Sequence, residues 1–390
     1  YQITQYETPI GKDGYLTIFD EKGKPKKIGI ERVHMEEDTG EMLHDFINKV
    51  TYIDYNRSGI PLIEIVSKPE ISNAEEALNY LKMLKRTLEF LNISDCSLES
   101  GSMRCDINIS VNRADSKPSH KVEIKNLNSF NAIKKSIEYE IERQTKILNN
   151  NDFIITETRL FNTETNKTET MRTKELAADY RYFREPDIPD IIISEEDLNN
   201  IKESITERPE EKLIRFMKEY NLNYYISDLL TSDKNVADYF EKTVKISSHP
   251  LKTANIIITE IFGYLNQKQM QINEISLQPE DLGKLIKLIS ENKISEKAFK
   301  ENIDRIIESK ISIDDFVEES RIISDDNLII KAIEKVLEEQ KNDALKKYLG
   351  GKESVFMFLV GQVMRELKGS GQIDKVKILL KEKIDEIKKF

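Results

Sequence analysis

Along its first half the chain changes apolar rhythm often. "MRCDINISV" alternates strictly, with Cys105, Ile107, Ile109 and Val111 on one side and Arg104, Asp106, Asn108 and Ser110 on the other, which is the pattern of a half-buried strand. "HKVEIKN" does the same, Val122 and Ile124 against Lys121, Glu123 and Lys125. The polar stretch 112–119 between them lets the two pair as a hairpin. Two helical periods interrupt the strands. One follows "SNAE", where Ser72 and Glu75 have capping-box spacing, and carries Ala77, Leu81, Leu84, Leu88 and Leu91. The other follows Asn128 or Ser129 as N-cap and carries Phe130, Ile133, Ile137 and Ile141. From about residue 196 the period is helical throughout, in Lys-, Glu-, Ile- and Leu-rich segments joined by short polar turns. A break near "EESRIISDDN" follows an acidic patch at Asp314, Asp315, Glu318 and Glu319. Beyond it, "YLGGKESVFMFLVGQVMRELKG" places Phe356, Leu359, Val363 and Leu367 on one packing stripe. The expected fold is α+β: a sheet-centred domain over 1–195, an all-helical domain over 196–320 and a helical tail domain over 321–390.

Composition narrows the class. Of 390 residues, 38% are hydrophobic and 33% charged. No apolar run approaches the roughly 18 residues of a membrane span, which excludes a membrane protein. The net charge of −11 opposes non-specific polyanion binding, while the tail is mildly basic and permits contact with a phosphate backbone. Cys96 and Cys105 form no CxxC, so neither a disulfide framework nor a zinc ribbon is expected, which favours a reducing compartment. The opening "YQITQYETPIG" reads as the middle of a longer protein, so an upstream part is expected to be missing.

Chemistry concentrates in "IGIERVHMEEDTG", where His34, Glu36, Glu37 and Asp38 follow a strand-like run. Crowded carboxylates repel, so such a cluster is either a solvated turn or a site for a divalent cation. On a strand His34, Glu36 and Asp38 share one face and Glu37 takes the other, and all four converge only through a bulge. Oxygen ligands of this kind suit Mg²⁺ and nucleotide phosphates. The face Arg104, Asp106 and Asn108, beside Lys121, Glu123 and Lys125, is either solvated or a floor for phosphate oxygens. A phosphate loop is absent, because Gly350, Gly351 and Lys352 precede Glu353, and "GSGQID" has Asp374 where a third dinucleotide glycine would fall. His44, His120 and His249 lack neighbours that would identify a base. "DYRYFREPD" interleaves Tyr180, Tyr182 and Phe183 with Arg181 and Arg184, a mixture that stacks a single-stranded nucleic-acid end or packs a domain junction.

Seven segments, "YQITQYETPIG", "IGIERVHMEEDTG", "DYNRSGIPLIEIVSKPEI", "ESGSMRCDINIS", "EIKNLNSF", "DYRYFREPDI" and "FLVGQVMRELKG", resemble in order the signature segments of the B subunit of the glutamyl-tRNA(Gln) amidotransferase. The resemblance implies a cradle domain, a helical domain and a tRNA-contacting tail. It implies ATP and Mg²⁺ as cofactors, an amidase A subunit and a small C subunit as partners, and glutamyl-tRNA(Gln) or aspartyl-tRNA(Asn) as substrate. The side-chain carboxylate is phosphorylated and ammonia then displaces the phosphate. Carried over, Glu37 is the first metal ligand and Glu36 the second, both also catalytic, with His34 and Asp38 behind them. Arg104 and Lys125 face phosphates or the aminoacyl end, and His34, Asp106 and Asn108 line the nucleotide cavity. The family's "GLEVH" segment, and the cysteine cluster it frequently carries, are absent from this sequence, and Arg184 stands where the family usually has Pro. A catalytically incomplete tRNA-binding and assembly scaffold of the same complex is the alternative, and the bacterial cytoplasm is the preferred location over an organelle.

Overall fold

The structure, a computed structural model, describes residues 3–113, 120–173, 186–205, 207–322, 325–367 and 371–388. The chain forms two compact units, Tyr1–Ile214 and Arg215–Phe390. The first is mixed α+β and the second helical, as the apolar periods predict. The aromatic and arginine stretch Tyr180–Arg184 lies outside the described residues, as do positions 114–119 of the expected hairpin loop.

In the first unit, β1 (Gly11–Phe19), β2 (Pro25–Glu37), β3 (Glu41–Asp45), β4 (Val50–Asp54) and β5 (Pro61–Ser67) precede helix α1 (Ala74–Phe90). Strands β1, β2 and β5 make an antiparallel sheet with β2 in the centre, while β3 and β4 form a separate two-stranded ribbon. The ribbon is solvent-facing on both sides: Met42, Leu43, Tyr52 and Ile53 are exposed, and Phe46 and Ile47 at its turn are 87% and 92% accessible.

Next come β6 (Ile107–Ile109), β7 (Val122–Lys125), α2 (Phe130–Asn149), β8 (Glu157–Asn162) and β9 (Lys167–Thr173), giving a four-stranded sheet in chain order. Strands β6 and β7 pair antiparallel, as expected of the hairpin, but regular pairing covers three residues where the alternation spans nine. Parallel pairing of β7 with β8 follows from the α2 crossover between them. Helix α1 packs on β1 and on α2, and α2 on β6 and β9. The core therefore joins Leu16, Ile18, Phe19 and Ile28 with Leu78 and Leu81 on one side, and Val122, Ile124 and Phe161 with Ile133 and Ile137 on the other.

The start of α1 differs by one residue from the expected Ser72–Glu75 box. Asn73 is the N-cap and accepts from Glu76 N at 2.8 Å, while the Glu76 carboxylate accepts from Ser72 N at 2.8 Å. Glu76 also meets Lys26 at 2.7 Å. That tertiary ion pair favours the Asn73 register over an equally good Ser cap. Ser129 caps α2, as expected.

A buried ion cluster fastens α2 to β8 and β9. Glu140, with no accessible surface, accepts from Arg143 Nε at 2.8 Å and Nη2 at 2.9 Å, from Thr168 Oγ1 at 2.5 Å and from Gln144 Nε2 at 3.0 Å. Arg159 lies 3.3 Å from Glu140 and 2.7 Å from Glu157. The Gln144 side chain in turn accepts from Val111 N at 2.9 Å, just beyond β6. Burial works to raise the Glu140 carboxyl's pKa, but the hydrogen bonds from Arg143, Thr168 and Gln144 outweigh it and hold the pKa below the ordinary value.

Helix α3 (Glu195–Ser204) follows, and α4 (Pro209–Glu219) crosses the division between units. The second unit continues with α5 (Tyr224–Leu230), α6 (Lys234–Ser247), α7 (Pro250–Ile256), a π turn Ile257–Ile261, α8 (Phe262–Lys268), α9 (Pro279–Ser290), α10 (Glu296–Ile307) and α11 (Ile313–Glu319). Then come α12 (Asp326–Glu339), α13 (Ala344–Leu349), α14 (Val355–Glu366) and α15 (Ile373–Lys388). One apolar cluster runs from Phe216 to Phe316, and another from Ile329 to Ile384. The stripe expected in α14 is buried at Leu359, Val363 and Leu367, with Phe356 packed at its margin. Among the described residues no helix is long and apolar enough to cross a membrane.

Candidate active site

The acidic segment ends the long central strand β2. His34 is fully buried and lies across from Glu64 of β5. Its Nδ1 is 2.9 Å from Thr4 Oγ1, and the Tyr6 ring stacks on it at 6.2 Å. Burial lowers the imidazole pKa, with Glu64 opposing, so the ring is neutral at neutral pH. Glu36 is half-buried and its carboxyl is pushed up, first by burial and then by the Glu64 charge. Glu37, at the last position of the strand, is exposed. Adjacent positions of an extended strand face opposite sides, so on this backbone Glu36 and Glu37 do not converge on one ion. Among the described residues no group of three or more His, Cys, Asp or Glu side chains is gathered as a metal site. The donor chemistry still fits Mg²⁺: carboxylate oxygens, one of them electrostatically strained by a second carboxylate in a way that a cation relieves.

Asp38 follows the strand and is the most constrained acid of the segment. It is 7% exposed. Its carboxylate accepts from Arg57 Nε at 2.8 Å, from Arg104 Nη2 at 3.1 Å and from Thr39 N at 3.1 Å. The Arg57 hydrogen bond is the largest cause holding its pKa below the usual range; burial opposes it, and the Arg104 charge adds to it. A turn delivers Arg57: Ser58 N donates to Tyr55 O, Ile60 N to Arg57 O, and Gly59 N back to Asp38 O at 2.9 Å. Gly59 has φ +79°, a conformation that side chains rarely adopt.

Arg104 brings the second predicted cluster to the first. Two residues on, Asp106 accepts from Lys125 Nζ at 2.5 Å, and Lys125 also lies 3.5 Å from Glu123. Burial disfavours the Lys125 ammonium, but Asp106 and then Glu123 outweigh it and raise its pKa. Thr158 Oγ1 donates to Glu123 at 2.9 Å. Asn108 is exposed and lies opposite Glu123. The alternation thus produces one polar row, Asp106, Lys125, Glu123 and Thr158. The Arg104–Asp38 pair fastens the approach to that row to the end of β2.

Sequence patterns alone do not single out Arg57 or Glu64. Arg57 depends on a turn that periodicity does not register, and the Gly two residues after it is the signal that marks the turn. Glu64 depends on cross-strand pairing between segments about 30 residues apart. Both thiols are free: Cys96 is buried, and burial pushes the Cys105 thiol up to about 12, which disfavours its thiolate. In the second unit, a groove of about 520 Å³ is lined by His249, Lys252, Asn255, Glu296 and Lys300 among others. Both lysines pair with Glu296, at 3.1 and 3.3 Å, which leaves little free positive charge.

A family model described as the GatB/GatE catalytic domain matches residues 1–199, and one described as the GatB domain matches 238–384. The B subunit of the aspartyl/glutamyl-tRNA(Asn/Gln) amidotransferase of Thermodesulfovibrio yellowstonii is 42% identical over 372 residues, 95% of this chain and 78% of that protein. The proteins of the same name from Rickettsia bellii and Clostridium novyi are 40% and 42% identical, each covering 98% of this chain and 80% and 81% of the relative. By these matches, which take in the end of β2, the Arg104–Lys125 row and the helical second unit, the chain belongs to the family of amidotransferase B subunits.

Proposed function

We propose that this chain, as one subunit of a multi-subunit amidotransferase, uses ATP to activate the side-chain carboxylate of glutamate mischarged on tRNA(Gln), or of aspartate on tRNA(Asn). A carboxylate resists attack by ammonia because oxide is a hopeless leaving group. In the proposed sequence the carboxylate oxygen attacks the terminal phosphorus of ATP and ADP leaves. Ammonia, supplied by an amidase A subunit, then attacks the acyl carbon of the acyl phosphate, and inorganic phosphate leaves with the C–O bond electrons. Such transfer needs positioning and charge neutralisation rather than a protein nucleophile.

The observation that carries this reading is the Arg104–Asp38 pair, which fastens the acidic end of β2 beside the Asp106–Lys125 row. In the proposal Arg104 and Lys125 hold phosphate or carboxylate oxygens, and Asp106 and Asn108 line the nucleotide cavity. Glu37 is the group proposed toward Mg²⁺, while Glu36, with Glu64 and His34 beside it, lies on the other face of β2 and would reach the same ion only after the strand end rearranges. When bound, that ion neutralises phosphate charge. Neutral His34, packed against Thr4 and Tyr6, fixes the strand face that carries Glu36 and Glu64.

We further propose the functional division 1–195 for activation, 196–320 for the helical domain and 321–390 for tRNA contact, with a small C subunit completing the complex. The separate apolar cluster over Ile329–Ile384 supports a distinct tail. The bacterial relatives support work in the cytoplasm.

The test is reconstitution with the A and C subunits. Glu37→Gln is expected to abolish ATP-dependent amidation of glutamyl-tRNA(Gln) while glutaminase activity persists; full amidation by this variant removes Glu37 from the site. An assembly that binds the tRNA yet releases no ADP points instead to the scaffold role.

A further inference from the structure

We propose that Arg57 is a substrate-binding residue, forming with Arg104 a two-guanidinium clamp that Asp38 holds open for a carboxylate or phosphate oxyanion. This rests on the reading that the first unit activates a carboxylate with ATP, and deepens it. The ligand chemistry is shared by a phosphate group of the nucleotide and by the side-chain carboxylate of the aminoacyl group.

The argument starts from charge. Two guanidiniums meet one carboxylate, so the group carries a surplus positive charge. Asp38 is 8% exposed in its side chain, whereas Arg57 and Arg104 are 37% and 62% exposed. The anion is inside and the cations look outward, the order expected of a receptor for a further anion. Donor counting agrees. Arg57 reaches Asp38 through Nε alone, and its two terminal nitrogens, with four N–H groups, make no hydrogen bond to the described residues. A guanidinium has five donors in a fixed fork, and that fork matches the oxygens of a carboxylate or phosphate. Arg104 lays its terminal nitrogens along Asp38 at 3.1 and 3.4 Å, and its Nε makes no hydrogen bond to the described residues.

The backbone shows that Arg57 is delivered there. Asp38 N donates to Ile60 O at 2.8 Å and Gly59 N to Asp38 O at 2.9 Å. The Arg57 turn is therefore closed onto the residue that its side chain grips. In this assignment Asp38 is a positioning residue: it touches no substrate and fixes two groups that do.

The test compares the Arg57→Lys and Arg57→Gln variants in the full chain, assembled with its partner subunits. Lys keeps the charge and an ion pair to Asp38 but loses the fork. The expected result is a KM for one substrate raised about tenfold to a hundredfold, with the melting temperature of the Lys variant close to wild type. A rise confined to ATP assigns the clamp to phosphate, and a rise confined to mischarged tRNA assigns it to the aminoacyl carboxylate. Unchanged KM values for both substrates overturn the proposal, whether or not the melting temperature falls. If Arg57→Gln does not fold, Arg57→Lys carries the comparison. Should the wild-type assembly consume no ATP in the presence of mischarged tRNA, the activation reading fails. The clamp is then judged alone, by titrating wild type and Arg57→Lys with inorganic pyrophosphate: weaker binding by the variant supports it, and equal or absent binding refutes it.

Discussion

Replacing Glu140 by Gln tests the buried ion cluster that fastens α2 to its sheet. Glu140 is inaccessible and receives Arg143 through two hydrogen bonds, with Arg159 3.3 Å away. Removing one partner of a buried pair typically destabilises by about 3–5 kcal/mol. Here both guanidiniums keep Glu157, at 3.5 and 2.7 Å, and Gln retains the side-chain volume, so the low end applies, about 3 kcal/mol. For a unit of this size that is a fall of roughly 6–12 °C in melting temperature. The pH dependence has a definite sign. The folded pKa lies below the ordinary glutamate value, so the unfolded chain takes up the proton first as pH falls. The stabilisation is complete above the ordinary value and is lost as pH drops through the depressed one. Urea unfolding of wild type and Glu140→Gln at neutral pH and across the acid range reads both effects. A gap under about 0.5 kcal/mol at pH 7, a value typical of exposed pairs, or a gap that widens on acidification, refutes the reasoning.

Asp38→Asn removes the shared anion while keeping shape. Because the arginines are partly solvated, a loss of about 1–2 kcal/mol is expected, confined to pH above the depressed Asp38 value and measured by chemical unfolding; a flat difference down to strong acid contradicts it. Gly283→Ala places a Cβ 2.8 Å from Ile246 Cβ and 2.9 Å from the Thr243 carbonyl, where α9 meets α6. Overpacking of about 1–3 kcal/mol is expected to exceed the roughly 1 kcal/mol helix advantage of Ala, so thermal unfolding of the variant is expected at lower temperature, and a stabilised variant refutes the close approach.

The period-2 and period-3.6 patterns carried most of the fold. Val122 and Ile124 are fully buried where the alternation put them, Ser129 caps α2, and Leu359 and Val363 lie inside the tail. These are local consequences of side-chain direction, which a single segment encodes. The starting residue of α1 was not legible, because Lys26, 50 positions away, selects Glu76. Nor was the cross-strand meeting of His34 with Glu64. The partner of Arg104 was also hidden. Its exposure on a polar strand face was readable, but its pairing with Asp38 joins positions 66 apart and exists only once two sheets have folded.

The β3–β4 ribbon has a practical consequence. Two strands alone are marginal in water, and a tip bearing Phe46 and Ile47 almost bare to solvent, above Met42, Leu43, Tyr52 and Ile53, is an adhesive surface. Self-association of the chain by itself is therefore expected to rise with concentration through this finger, and sedimentation velocity over a dilution series reads it.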